Sequence, residues 1–388
     1  MLYSLCMHKQ SSAVSADRSS ESRRVVLKFG SRLLTGGQAQ LDPERMASVA
    51  RAIAANPDQE VVIVSSGAVA AGFPALGLQK PPHRVDERQA AAAVGQGRLM
   101  NMWGDAFQEV GLTVAQVLLT NDCLTDRRRY NAARRALGAL LKAGIIPIVN
   151  ENDTVSVDEI VVGDNDNLAA MTAALVDADL LALLTDVPGV LTGDPEHDPD
   201  ARLVSHADNA EELRALCFAK KAIESTGGMV TKLEAAERAG RFGIPTVIAD
   251  GTDEAALAAV VRGQEAGTFI AADEHPLPAR RHWMAVQKGL HGYLVVDAGA
   301  VAALHRRASL LPSGVVGIRG RFRRGDLVSV VDDSGTEHAR GIVRFDDREV
   351  EQIRGLHTDE VCSTLGVDHG HVVMRPDRMV LATTADAK

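Results

Sequence analysis

Six short runs of this chain are apolar at nearly every position instead of every second one: residues 25–30, 60–65, 114–119, 145–149, 180–185 and 245–249. A strand with one wet face alternates, so continuous runs indicate strands covered on both faces. Between them lie stretches with helical spacing, at 41–55, 68–72, 130–143, 168–176 and 232–239. Asp42-Pro43 marks one helix start, an N-cap followed by proline at the first helical position. Strand–helix alternation of this kind gives a parallel sheet with helices on both sides. The expected fold is therefore α/β, a mainly parallel open sheet sandwiched by helices over residues 24–270.

The pattern changes beyond that point. Residues 271–283 include Pro276 and Pro278 and read as a linker. Over 284–380, short runs at 293–296, 315–318, 327–331, 342–345 and 372–374 are separated by glycines, with one helix at 298–307. That spacing predicts a small β-rich barrel or sandwich. Residues 1–23 are rich in Ser and charge and read as a disordered extension; their apolar patch is too short for a signal peptide. No run reaches the ~18 apolar residues that a membrane span needs. The 4 cysteines include no Cys-x-x-Cys pair, which argues against a disulfide framework or zinc site and for a cytoplasmic location.

Charge narrows the function. Against 42 Lys+Arg stand 51 Asp+Glu, a net −9 that excludes a strongly cationic nucleic-acid binder. The split is uneven: residues 1–279 sum to −11 and residues 280–388 to +2. One basic run, Arg319-Gly320-Arg321-Phe322-Arg323-Arg324, could suggest RNA contact. A solvated loop or subunit contact explains it better, so RNA binding through the C-terminal region is not expected.

In an open parallel sheet, ligands sit beyond the carboxyl ends of the strands. The segments there are Lys28-Phe29-Gly30-Ser31, Ser65-Ser66-Gly67, Asn150-Glu151-Asn152-Asp153 leading to Gly163-Asp164-Asn165-Asp166-Asn167, and Thr185-Asp186. Thr226-Gly227-Gly228-Met229-Val230-Thr231-Lys232 precedes a helix. Gly30 and Gly67 would let backbone N–H groups approach an anion, and Gly67 and Gly227-Gly228 lie at helix starts that favour one. Two lysines are placed against local preference. Lys28 lies in an apolar strand, and Lys232 is expected in the first turn of a helix, opposing its dipole. Lysines facing phosphate would account for both.

No Gly-x-x-x-x-Gly-Lys-Ser/Thr, Gly-x-Gly-x-x-Gly, Gly-x-Ser-x-Gly or His-Glu-x-x-His occurs. The candidate loops also hold no His or Cys to act as a neutral-pH base. An acceptor that is already anionic, such as a carboxylate of pKa about 4.3, needs none.

In this order the segments resemble the amino acid kinase family. The carriers are residues 26–31, 62–68, 92–96 (Ala-Ala-Val-Gly-Gln), 147–153, 162–168, 184–186 and 226–232, the most specific being Asn-Glu-Asn-Asp followed by Gly-Asp-Asn-Asp-Asn. The C-terminal part resembles a PUA domain, which points to the glutamate-phosphorylating branch of the family. The resemblance implies transfer of the γ-phosphoryl of ATP to the side-chain carboxylate of L-glutamate, with Mg²⁺ on the phosphates. It also implies a first step towards proline, with feedback inhibition by proline. It implies that Ser66, Asp153 and Asn165 hold glutamate. Thr185, Asp186, Thr226, Gly227, Gly228, Met229, Val230, Thr231 and Lys232 would hold ATP together with Lys28. Lys28 and Lys232 would neutralise the transferring phosphoryl while Asp166 orients them. No protein-held metal is implied. A homo-oligomer, dimer or tetramer, is expected, and contact with the next enzyme of the pathway is left open.

Overall fold

The computed structural model describes residues 23–382 apart from 39, 121–122, 124–126, 156–163, 194–197, 199, 219–226, 265, 275, 277–283, 285–289, 291 and 367–369. Its larger sheet has eight strands: β1 Arg24–Phe29, β2 Glu60–Ser65, β3 Val114–Leu119, β4 Ile146–Glu151, β5 Leu180–Thr185, β6 His206–Ala207, β7 Thr246–Asp250 and β8 Thr268–Ile270. Their spatial order is β3-β4-β2-β1-β5-β7-β8-β6. All neighbours run parallel except β7 and β8. The six continuous apolar runs are the six main strands, with ends shifted by no more than two residues.

The helices around this sheet are α1 Ser31–Thr35, α2 Pro43–Ala54, α3 Ala68–Gly72, α4 Val85–Glu109, α5 Arg127–Lys142, α6 Asp164–Val176, α7 Ala210–Phe218, α8 Gly227–Arg241 and α9 Glu254–Val261. Asp42 caps α2 as expected, accepting from the N–H groups of Glu44 and Arg45. The side-chain period of two in the strands decides which helices cover which face. Val26, Val64 and Leu183 point to one side and pack with Ala169 and Leu175 of α6 and Leu233 of α8. Val25, Leu27 and Phe29 point to the other and pack with Met46 of α2 and Leu99 and Trp103 of α4. Lys28, two residues beyond Val26, therefore faces α6 and α8.

The 25-residue helix α4 has no counterpart in the sequence reading. Its buried stripe is rich in Ala and broken by Gly, which weakens the apolar period. The reason for Gly95 is tertiary: a Cβ there would lie 1.8 Å from the Ala68 carbonyl oxygen. A Cβ on Gly72 would lie 1.8 Å from the Ala91 carbonyl oxygen. Two glycines thus let α3 and α4 cross backbone to backbone.

The smaller sheet contains β9 Gly292–Val296, β10 Val315–Gly320, β11 Leu327–Val331, β12 Glu337–Ile342 and β13 Met379–Leu381, in the order β10-β9-β11-β12-β13. Only β9 and β11 pair in parallel. Helices α10 Ala298–His305, α11 Asp347–Ile353 and α12 Thr358–Leu365 accompany it. The runs expected as strands at 342–345 and 372–374 are corrected here. Val343, Phe345 and Val373 are buried, but the strands are β12 and β13, and Met374 makes only a single bridge with Leu310. Apolar runs report burial, whereas a ladder can use half-buried polar residues such as those of β12. Ile342 and Val380 of this sheet also join the core cluster on the α8 side of the larger one.

Candidate active site

The carboxyl ends of β4, β2 and β1 open onto one cleft of about 510 Å³. Lys28, Gly30, Ser66, Gly67, Asn150, Glu151, Asp153, Asn165, Asp166, Gly228, Thr231 and Lys232 all line it. Segments spread over some two hundred residues meet because parallel strands send every carboxyl end to the same edge.

At one end stands a buried charge triad. Asp166, in the first turn of α6, is 1% exposed. Its Oδ1 lies 2.5 Å from Lys28 Nζ and its Oδ2 3.3 Å from Lys232 Nζ. Thr231 donates its hydroxyl to Oδ2 at 2.8 Å, and Lys232 also donates to the Gly228 carbonyl at 3.1 Å. Burial pushes the Lys28 ammonium below the usual lysine range; the charge of Asp166 opposes this and that of Lys232 reinforces it. Burial would raise Asp166, but the fields of Lys28 and Lys232, with hydrogen bonds from Lys28 and Thr231, outweigh it and hold its carboxyl below the ordinary range. Two cations against one anion leave a net positive charge in a dry place, an arrangement suited to an anion with several oxygens.

The sequence placed Lys232 in the first turn of its helix, and the structure corrects this. Helix α8 begins at Gly227, so Lys232 sits in the second turn, where the dipole penalty has faded. Pairing with Asp166 is what holds it.

The other end is a chain of amides. Asn165 Nδ2 donates to Ser66 Oγ (2.7 Å) and to Asn150 Oδ1 (3.1 Å). Asn150 Nδ2 donates to Gln96 Oε1 at 2.8 Å, and Asn150 Oδ1 also accepts from the N–H of Glu151. Below it, Trp103 Nε1 donates to Ser65 Oγ at 2.9 Å. Asn165 Oδ1 is buried and has no hydrogen-bond partner. Gly67 has φ 109°, the left-handed conformation that turns β2 into α3. Gly30 has φ −76°, so its glycine is not required by backbone geometry.

Other sequence-predicted residues lie elsewhere. Thr185 ends β5 and Asp186 follows it on the same edge, but neither lines the cleft; they bond to each other at 3.2 Å, and Asp186 pairs with Arg32 at 3.4 Å. Met229 and Val230 are half-buried in α8, outside the lining. Gly227 opens α8, and Thr226 lies outside the described residues. The segment Lys220 to Ser225 that leads into it lies outside them too.

Beside Arg32, which follows the first segment directly, the sequence reading missed Pro81, Pro82, His83 and Arg88 of the lining. The last four come from the connection between α3 and α4 and from the start of α4, whereas the sequence points to the loops just after each strand. The candidate loops hold no histidine, and His83 joins the lining from outside them. Gln96 was legible only as part of the Ala-Ala-Val-Gly-Gln segment. Among the described residues, no three His, Cys, Asp or Glu side chains converge to hold a metal ion. No helix there is long and apolar enough to cross a membrane.

The β4-β2-β1 cleft and its Lys–Asp–Lys triad lie within residues 23–250, which match the amino acid kinase family model, and the chain belongs to that family. The PUA domain model matches residues 292–365. Within the family, the chain is similar to the glutamate 5-kinase of Moorella thermoacetica, 45% identical over 367 residues, covering 93% of this chain and 97% of that protein. It is similar also to the glutamate 5-kinase of Citrifermentans bemidjiense, at 46% over 363 residues, covering 92% and 97%. The glutamate 5-kinase of Azoarcus sp. (strain BH72) is 45% identical over 370 residues, covering 94% and 99%.

Proposed function

We propose that this chain transfers the γ-phosphoryl group of ATP to the side-chain carboxylate of L-glutamate, giving L-glutamyl 5-phosphate, the first intermediate towards proline. The observation that carries the reading is the buried Lys28–Asp166–Lys232 triad beside the Ser66–Asn165–Asn150 chain. The near-full-length likeness to glutamate 5-kinases agrees with it.

A carboxylate oxygen of glutamate forms the new bond to the γ-phosphorus while the bond from that phosphorus to the bridging oxygen breaks, and ADP leaves with the electron pair. The acceptor is already ionised, so no base is needed. Such a transition state asks for alignment and charge stabilisation more than for covalent help. Lys28 and Lys232 supply the charge, and Asp166 fixes where the two ammonium groups sit. Asp153 receives the α-ammonium group, and Ser66 and Asn165 orient the substrate. Gly228 and Thr231 border the phosphates. The adenosine side of ATP extends from the cleft towards Thr185 and Asp186 and along Thr226, Gly227, Met229 and Val230. Among the described residues no three metal-ligating side chains converge, so magnesium, when bound with the nucleotide, would supply further charge neutralisation beside Lys28 and Lys232.

Proline presents a carboxylate and an ammonium-type nitrogen without a side-chain carboxylate, so it can occupy the glutamate position unproductively. Competition between proline and glutamate in steady-state assays tests this feedback, and its absence would count against it. The main test is incubation with ATP, Mg²⁺ and glutamate, trapping the acyl phosphate with hydroxylamine. Hydroxamate formation dependent on all three supports the reading; ATP turnover with another carboxylate but not glutamate would replace the substrate. Assembly as a dimer or tetramer is proposed alongside and is measured by light scattering.

A further inference from the structure

We propose that Arg88 is a specificity-determining residue that receives the α-carboxylate of the amino-acid substrate. The proposal rests on the glutamate reading above and adds a contact that reading leaves open. Glutamate brings three charged groups into the cleft. Its side-chain carboxylate goes to the triad and its ammonium group to Asp153. The α-carboxylate also leaves water and needs a cationic or hydrogen-bonding partner.

The lysine and arginine side chains lining the cleft are Lys28, Lys232, Arg32 and Arg88. Lys28 and Lys232 are bound to Asp166 at the reacting end. Arg32 pairs with Asp186 after β5, away from β4. Arg88 is different in position. It is half-buried in the first turn of α4, the helix that meets the β4 end through Gln96 and Asn150. Gly95, seven residues further on, crosses α3 in backbone contact. Arg88 therefore stands about 10 Å along the helix axis from that crossing, and it lines the same cleft as Ser66 to Ala70 and Asp153. A guanidinium there offers a planar fork that matches a carboxylate, and with Asp153 in the same cleft it supplies a cation and an anion for a zwitterionic end. The proline-rich turn Pro81-Pro82 before α4 forms part of the same lining.

The experiment measures glutamate KM and kcat, and competitive inhibition constants for glutarate and 4-aminobutanoate, in the full-length enzyme. Glutarate lacks the ammonium group; 4-aminobutanoate lacks the α-carboxylate. Arg88→Gln is expected to weaken glutamate and glutarate roughly 10- to 100-fold, in line with loss of a charge-assisted pair. It should leave 4-aminobutanoate binding and kcat within about threefold, and Arg88→Lys should recover part of the loss. Asp153→Asn should do the reverse, sparing glutarate and weakening 4-aminobutanoate. Equal weakening of all three ligands by Arg88→Gln, or unchanged glutamate KM, overturns the assignment. If the unaltered enzyme does not turn over glutamate, the substrate reading falls first and this proposal with it.

Discussion

Two clusters of positive charge, one in each part of the molecule, differ in what surrounds them. Lys28 and Lys232 are 5% and 8% exposed, inside the more acidic part of the chain, and share one carboxylate. The run from Arg319 to Arg324 lies at the surface of the smaller sheet. There Arg321 pairs with Asp347 at 3.1 Å and Arg324 with Glu349 at 3.2 Å. Its one aromatic, Phe322, is 4% exposed and packs into the core, so it offers no face for a base to stack on. Count and density of charge favour the exposed run, yet burial favours the pair. A charge in low dielectric acts on a neighbouring anion far more strongly than one in water. The proposed phosphoryl transfer therefore rests on the two buried lysines and not on the exposed run.

The strongest way to break this contrast is to remove the shared anion. Asp166→Asn leaves two ammonium groups buried without a counter-charge and should destabilise the fold by about 3–5 kcal/mol, measured by denaturant unfolding. The carboxyl of Asp166 is held below its unfolded value, so between the two values the unfolded chain binds the extra proton. Its stabilisation is present above about pH 4 and is lost as pH falls through the lower value. Melting temperature should therefore fall more steeply on acidification in the unaltered protein than in Asp166→Asn; parallel curves would refute the pairing.

Removing either lysine tests the same triad from the other side. Lys28→Ala and Lys232→Ala should each lower kcat by roughly 10²–10³ while changing glutamate KM much less. Near-normal turnover in both would end the phosphoryl-transfer assignment. A smaller effect is expected at the amide chain. Gln96→Leu frees Asn150, and through it Asn165, and should raise glutamate KM about 10-fold with little change in kcat, corresponding to loss of about 1–1.5 kcal/mol. The smallest effect is expected in the C-terminal region. Arg321→Ala with Arg324→Ala should change stability by no more than about 1 kcal/mol and leave both kinetic constants unchanged. RNA binding by the full chain at low salt that these substitutions abolish would overturn the contrast.

Much of this was legible in the sequence because the physics was local. Continuous apolar runs announced strands buried on both faces, and Asp42-Pro43 announced a helix start. Lys28 drew attention because a charge inside such a run conflicts with its neighbours. What escaped was set by partners distant in sequence. Helix α4 was obscured by its alanines and glycines, of which Gly95 makes sense only against the backbone of α3. The segments at 343–345, just past the end of β12, and at 372–374 read as strands but lie outside the ladders, with Val343, Phe345, Val373 and Met374 buried. His83 and Arg88 lie outside the loops that end the strands and carry no pattern of their own, and Gln96 was legible only within the segment 92–96.

By itself, then, the sequence determined the α/β class, the sheet edge that carries polar loops, and the two lysines that local preference disfavours. Each comes from side-chain period or from the cost of a charge among apolar neighbours. Only the tertiary structure decided that both lysines meet on one aspartate, and that Asn150 is aimed by Gln96. It likewise put Thr185 and Asp186 beyond the cleft lining while bringing His83 and Arg88 into it. Those outcomes depend on strand order and helix crossing, which bring together residues far apart in the chain.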